Sequence, residues 1–152
     1  MRALVQRVSE GGVVIESQNY SAGIGNGMVI LLGVKEGDTE ADVNFVADKC
    51  ANLRIFEDEN GKMNLSVKQI NGEVLVISQF TLYGDTRKGN RPSFNLAAKP
   101  DLAENLYEKF IQRMKQQLGA TKVKSGLFGE MMSVKIINDG PVTVLVESKE
   151  NN

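Results

Sequence analysis

The chain has no histidine, one cysteine and three prolines in 152 residues. The missing histidine excludes every Ser-His or Cys-His nucleophile pair and every His-bearing metal site, and it removes the usual general base near neutral pH. An enzyme made from this sequence has to work with carboxylates, backbone amides or groups on its substrate. The lone Cys50 excludes an internal disulfide and fits a reducing compartment. Long apolar runs are missing too. MVILLGV at 28–34 is the longest, far too short to span a bilayer, and the opening MRALVQRVSEGGVV lacks the apolar stretch of a signal peptide. The expectation is a cytoplasmic protein with no membrane partner. A formal charge of −1 gives no bulk attraction to nucleic acid, so any such contact has to be local.

The length suits one domain over residues 1–152. ALVQRV alternates apolar and polar residues, GGVVIES continues the pattern after a Gly-Gly break, and GMVILLGV is a buried run. A helix follows, with Thr39 and Asp42 as a capping box and Val43, Val46, Cys50 and Leu53 at helical spacing. NGEVLVISQFTL reads as a central strand behind an Asn-Gly turn signal. Residues 83–100 show no sustained period and carry Gly84, Gly89, Pro92 and Pro100; loops of that length inside a compact domain are often functional. Leu102, Leu106, Phe110 and Met114 predict a second helix over 101–118, with Gly119 just past its end. Strands at both ends and two helices between them give an α+β class: mixed or antiparallel β-sheet layers, barrel-like, covered by two main helices on one side.

IINDGPVT at 136–143 reads as a hairpin, with SVKII and VTVLVE on either side of an Asp-Gly tip. Pro141 is out of place there. The fourth residue of such a turn should donate its N–H back, and proline has none.

Candidate chemistry sits at the end of the central strand. Ser78, Gln79 and Thr81 supply neutral hydrogen-bonding groups, and neighbouring backbone amides could face a developing oxyanion; an ordinary strand end explains the same residues. A hydroxyl nucleophile needs a base, and none is adjacent in sequence. Arg87, Lys88 and Arg91 could meet phosphates or form a solvated loop tip, and Lys122 with Lys124 is a weaker cluster of the same kind. Gly126 to Gly129, with Met131 and Met132, reads either as a pocket wall or as a packed loop. GNG at 25–27 is no dinucleotide fingerprint, because no strand–turn–helix unit surrounds it. No acidic pair has metal-ligand spacing.

SQFTL at 78–82 and NDGPVT at 138–143 together resemble the two signature motifs of the D-aminoacyl-tRNA deacylase family. The likeness covers nearly the whole chain, including MRALVQRV, GMVILLGV at 27–34, LRIFEDENGKMNLSV at 53–67, KGNRPSF at 88–94 and FGEMM at 128–132. The resemblance implies a cytosolic homodimer of α+β fold that hydrolyses the ester joining a D-amino acid, or glycine, to the terminal ribose of tRNA, without cofactor or metal. It implies that Gly140-Pro141 forms a cis peptide that enters the partner's active site and excludes L side chains through its backbone carbonyls. Ser78 to Leu82 would form the pocket floor, with the amides near Phe80 and Thr81 on the ester oxygen and with Ser78 and Gln79 orienting the terminal adenosine. Phe128 and Met132 would pack against that base, Arg7 would brace the Gly-Pro loop, and Asn138 would cap its turn. The tRNA's own 2′-OH is expected to assist, which suits a protein without histidine.

Two rival readings are a hydrolase of small esters or peptides with Thr81 or Ser78 as nucleophile, and a non-catalytic nucleic-acid-binding module on the same fold. Turnover on D-aminoacyl-tRNA separates the second from an enzyme, and a trapped acyl-enzyme would support the first.

Overall fold

A computed structural model describes residues 1–148. In chain order its main elements are β1 (Arg2–Ile15), β2 (Tyr20–Ile24), β3 (Gly27–Gly33), α1 (Glu40–Asn52), β4 (Phe56–Glu57), β5 (Met63–Leu65), β6 (Glu73–Ser78), α2 (Pro100–Leu118), β7 (Val123–Ser125) and β8 (Ser133–Glu147). No helix among them is long and apolar enough to cross a membrane.

The long β1 organises the sheet. On one side its first half pairs antiparallel with β3 and its second half with β2; on the other side it pairs with β8. It runs without interruption through Gly11 and Gly12, where the sequence suggested a break, because both glycines have ladder partners on each side. β6 lies parallel to β3, and β7 parallel to β6. Such parallel neighbours need crossovers, and α1 and α2 supply them. The far ends of the sheet then approach each other. Tyr20 Oη donates to Ser125 O at 2.6 Å, and Lys124 Nζ donates to Gly23 O at 2.7 Å. The mixed sheet is thereby nearly closed, as the sequence reading expected.

Both helices form for local reasons. The Thr39–Asp42 capping box opens α1, which buries Val43, Val46, Ala47 and Cys50. Pro100 starts α2 at a position where its missing N–H costs nothing, and Leu106, Phe110 and Met114 are buried along one face. Arg113 of α2 grips Asp48 of α1 through two 2.8 Å bonds. Both helices cover one face of the sheet over a core that includes Ala3, Val5, Ile30, Val76 and Phe110, while Val8, Val13, Ile15, Val29, Leu75 and Ile77 fill the inside of the curled sheet. β1 serves both cores: Arg7 and Val8, adjacent and so on opposite faces, are both buried, and the register shift between Val8 and Glu10 then brings Val13 and Ile15 into the same core as Val8.

Two expectations need correction. IINDGPVT is no hairpin: its flanks lie on one strand, β8, and both pair with β1 in the same direction. Val8 faces Asn138 and Gln6 faces Thr143, so residues 139–142 stand opposite Arg7 alone and bulge outward. Fourteen residues of β1 offer a ladder to both flanks, and that outweighs the local turn signal. Pro141 is tolerated because its position lies between the paired stretches. Secondly, SQFTL does not continue the central strand. β6 stops at Ser78, and Phe80–Tyr83 coil into a 3-10 turn.

Candidate functional site

The turn after β6 is built on the end of β3. Leu32 is the last residue of β3 to pair with β6, opposite Ser78, and Gln79 N–H then donates to Leu32 O at 2.8 Å. Gly33 makes room for the turn: a Cβ there would lie 3.0 Å from Leu82 Cβ and 3.2 Å from Tyr83 Cδ2. Leu82 N–H bonds Gln79 O at 3.3 Å and Gly84 N–H bonds Thr81 O at 2.9 Å. The N–H groups of Phe80 and Thr81 lead the turn and so have no carbonyl within it. Arg2 anchors the far end, donating to Leu82 O at 3.0 Å and lying 4.6 Å from the centre of the Tyr83 ring. Burial pushes the Tyr83 phenol above its ordinary value, so it stays neutral.

Side chains on this turn differ in what they offer. Thr81 is exposed, and its Oγ1 accepts a hydrogen bond from Gln79 Nε2. An amide nitrogen cannot take the proton of a hydroxyl, so this contact does not activate Thr81 as a nucleophile. Phe80 is 57% exposed and meets Phe94 edge-on at 5.2 Å between ring centres. Ser78, Gln79 and Leu82 are half-buried.

The second constellation surrounds the β8 bulge. Arg7, only 7% exposed, donates from Nε to Asp139 O at 2.9 Å and from a terminal guanidinium nitrogen to Ile55 O at 2.8 Å. Asn138 spans the bulge. Its Oδ1 accepts from Val142 N–H at 2.9 Å, and its Nδ2 donates to Thr143 Oγ1 at 3.0 Å. Gly140 has φ +138°, and a Cβ on it would come 2.7 Å from Val142 Cγ2 and 3.1 Å from the Arg7 guanidinium, so a larger residue is barred twice over. The Gly140–Pro141 peptide is cis, and both residues are exposed.

These two groups do not meet within one chain. The turn is fastened at Arg2 and the bulge at Arg7, five residue steps apart on extended β1, a span of about 17 Å. Phe128 and Met132 are also parted. Gly126 N–H donates to Val76 O at 3.0 Å, which sets their loop beside β6. Phe128 packs toward α2 with its ring 6.0 Å from that of Tyr107, whereas Met132 packs with the inner core around Ile77.

Sequence reasoning missed Arg2, Tyr83 and Phe94 as supports of the turn. Only Phe94 left a signal, by closing KGNRPSF. Among the described residues no group of three or more Cys, Asp or Glu is placed to hold a metal ion.

A family model described as D-Tyr-tRNA(Tyr) deacylase matches residues 4–147. The chain is 54% identical over 150 residues to a protein of Thermotoga petrophila named D-aminoacyl-tRNA deacylase, covering 99% of both chains. It is 54% identical over 149 residues to a protein of the same name from Halalkalibacterium halodurans, covering 98% of this chain and 100% of the relative. A solved structure titled c-Myc DNA Unwinding Element Binding Protein superposes with a TM-score of 0.92 at 39% identity, covering 99% of this chain and 100% of the other. Another, titled as a probable eukaryotic D-amino acid tRNA deacylase, gives a TM-score of 0.83 over 96% of this chain and 98% of the other; at 17% identity it supports the fold alone.

Proposed function

The chain belongs to the D-Tyr-tRNA(Tyr) deacylase family and is a D-aminoacyl-tRNA deacylase, an ester hydrolase acting on tRNA, and we propose that it does this chemistry with backbone groups supplied by two copies of itself. The amides of Phe80 and Thr81 receive the ester carbonyl and stabilise the oxyanion that forms on it. Ser78, Gln79 and Leu82 shape the floor beneath the terminal adenosine, and Phe128 packs at its border. Met132 faces the inner core and acts on the base only through the loop that it shares with Phe128.

The observation that carries this reading is the pairing of two turn-leading amides with a Thr81 hydroxyl whose one side-chain hydrogen bond among the described residues is with the Gln79 amide. Backbone donors aimed at developing charge are worth about 10²–10³ in rate each, and they need no titrating residue. Attack then calls for a group outside the protein. That group is water, which hydrolysis consumes; the 2′-OH of the terminal ribose, adjacent to the ester, assists by orienting it and passing a proton to the departing ribose oxygen.

Handedness is set by the bulge. A D-amino acid and its L-isomer carry the same groups, so attractive contacts separate them poorly. Carbonyls of Gly140 and Pro141, on a bulge that Arg7 fastens at Asp139 and Asn138 spans to Val142, instead occupy the space where an L side chain would project. Glycine has no side chain to reject, so glycine on tRNA passes the same filter. Because the bulge lies far from its own turn, the filter is supplied by a partner related by two-fold symmetry. From the tRNA substrate we infer a cytoplasmic site of action.

The test is hydrolysis of matched D- and L-aminoacyl-tRNA, together with a substrate ending in 2′-deoxyadenosine. Fast release from the D-form, little from the L-form and a marked slowing on the deoxy substrate support the mechanism. Equal rates on both isomers would remove the filter.

A further inference from the structure

Residues 86–92 form a tip that is tied closed at its base. Asp85 N–H donates to Ser93 O at 2.7 Å, and Ser93 N–H donates to Asp85 O at 2.9 Å. Arg87 is spent inside this tip: its Nε and a terminal nitrogen bind the Asp85 carboxylate at 2.9 and 2.7 Å. Lys88 and Arg91 are exposed, and among the described residues neither has a hydrogen bond or an acidic partner. The tip therefore presents two free cations after its carboxylate has been neutralised. Both of its roots reach the turn that holds the ester. Gly84 N–H bonds Thr81 O at 2.9 Å, and Phe94 meets Phe80 edge-on. Arg91 lies three residue steps from Phe94, a reach of about 10 Å at most.

We propose that Lys88 and Arg91 bind phosphodiester groups of the single-stranded acceptor end of the tRNA, next to the nucleotide that carries the ester. This rests on the placement of the ester at Phe80 and Thr81 argued above. Arg91 offers a planar fork suited to two phosphate oxygens, and Lys88 offers a point charge. Phosphate contacts position a nucleic acid without reading its bases. The grip is thus indifferent to tRNA identity, as suits an enzyme whose substrate is defined by the amino acid. It also explains how a chain with net charge −1 holds RNA: the attraction is local.

The test uses full-length protein with uncharged tRNA across a salt series, and D-aminoacyl-adenosine as a substrate without phosphates. In Lys88→Gln/Arg91→Gln the dissociation constant for tRNA should rise roughly ten-fold, and the slope of log affinity against log salt should flatten by about 1.4, near 0.7 for each lost contact to a single strand. Lys88→Arg should restore its share. Lys115→Gln, which removes one positive charge on α2 away from the tip, should alter neither quantity. Hydrolysis of D-aminoacyl-adenosine should change less than two-fold in the double variant. An unchanged salt slope, or an equal loss on the phosphate-free substrate, would overturn the proposal; the second result would make the tip a structural prop. Failure of the chiral filter would appear instead as loss of D-preference in wild type, with the binding slope still readable.

Discussion

Arg7 Nε donates to the carbonyl of Asp139 at 2.9 Å across 132 residues of sequence, and the same guanidinium donates to Ile55 O at 2.8 Å. One buried cation thereby ties the β8 bulge to the segment after α1. Arg7→Ala leaves two carbonyls without their charged donor, and bonds of that kind contribute about 1.5–3 kcal/mol each. The expected result is a drop of several degrees in Tm and a larger loss in the ratio of kcat/KM for D- over L-aminoacyl-tRNA. Arg7→Lys should recover little, since an ammonium cannot serve both carbonyls with fixed geometry.

Asn138 offers a milder probe. Its Oδ1 holds Val142 N–H across the bulge. Asn138→Ala should cost about 1 kcal/mol in denaturant unfolding and raise hydrolysis of L-substrates. Asn138→Asp keeps the acceptor and should stay close to wild type in both respects. If alanine and aspartate behave alike, the side chain does not hold the bulge.

Thr81 separates oxyanion chemistry from covalent catalysis. Thr81→Val keeps the backbone amide and should reduce kcat less than ten-fold, whereas loss of a true hydroxyl nucleophile costs on the order of 10⁶. Mass spectrometry of a quenched reaction should show no acyl adduct on Thr81 or Ser78. Thiol reagents should also be harmless, because Cys50 is fully buried and burial pushes its thiol up to about 12.

Dilution tests the shared site. If Gly140 and Pro141 serve a second copy, activity per chain must fall once the protein is diluted below the dimer's dissociation constant, in step with the mass seen by light scattering. Full activity in a population of single chains would contradict the two-copy site.

Acid should act late. The Arg113 bonds to Asp48 hold its carboxyl below the ordinary value, and those from Arg87 hold Asp85 at about 2. A depressed carboxylate contributes its full stability above the unfolded value, about 3.9, and loses it as pH falls through the folded one. Both clamps should therefore persist from neutral pH to about 4 and fail below it. With no histidine in the chain, Tm should show no step between pH 5 and 7, and a thermal-melt series against pH checks this.

What was legible in the sequence was local. The capping box at Thr39, the apolar spacing of α2 and the Gly119 stop each lie within a few residues of the structure they cause. β8 was misread for the opposite reason. Asp139-Gly140 between two β-runs is a true reversal signal, but the first strand of the chain overrides it by pairing with both runs. The turn at Phe80–Tyr83 was hidden because Phe, Thr, Leu and Tyr all favour strands, and only the end of the β3 ladder forces the chain to coil there. The partners of Arg7 could not be seen at all from a buried arginine in an alternating strand. The resemblance implies a site shared between two copies; within one chain the spacing along β1 sets the two motifs apart.

The bulge on β8 sets one residue of β1, Arg7, against four of β8, a surplus of three. Remove any three, and the two ladders would join in phase, Asn138 still facing Val8 and Thr143 still facing Gln6. The stereochemical guard is therefore an insert in an otherwise plain strand. It can be shortened or rewritten while the ladders on either side keep their partners, provided that buried Arg7 finds another acceptor in place of the Asp139 carbonyl. A descendant could discard its guard through a loss of three codons, keep a sound fold, and be free to take up other work.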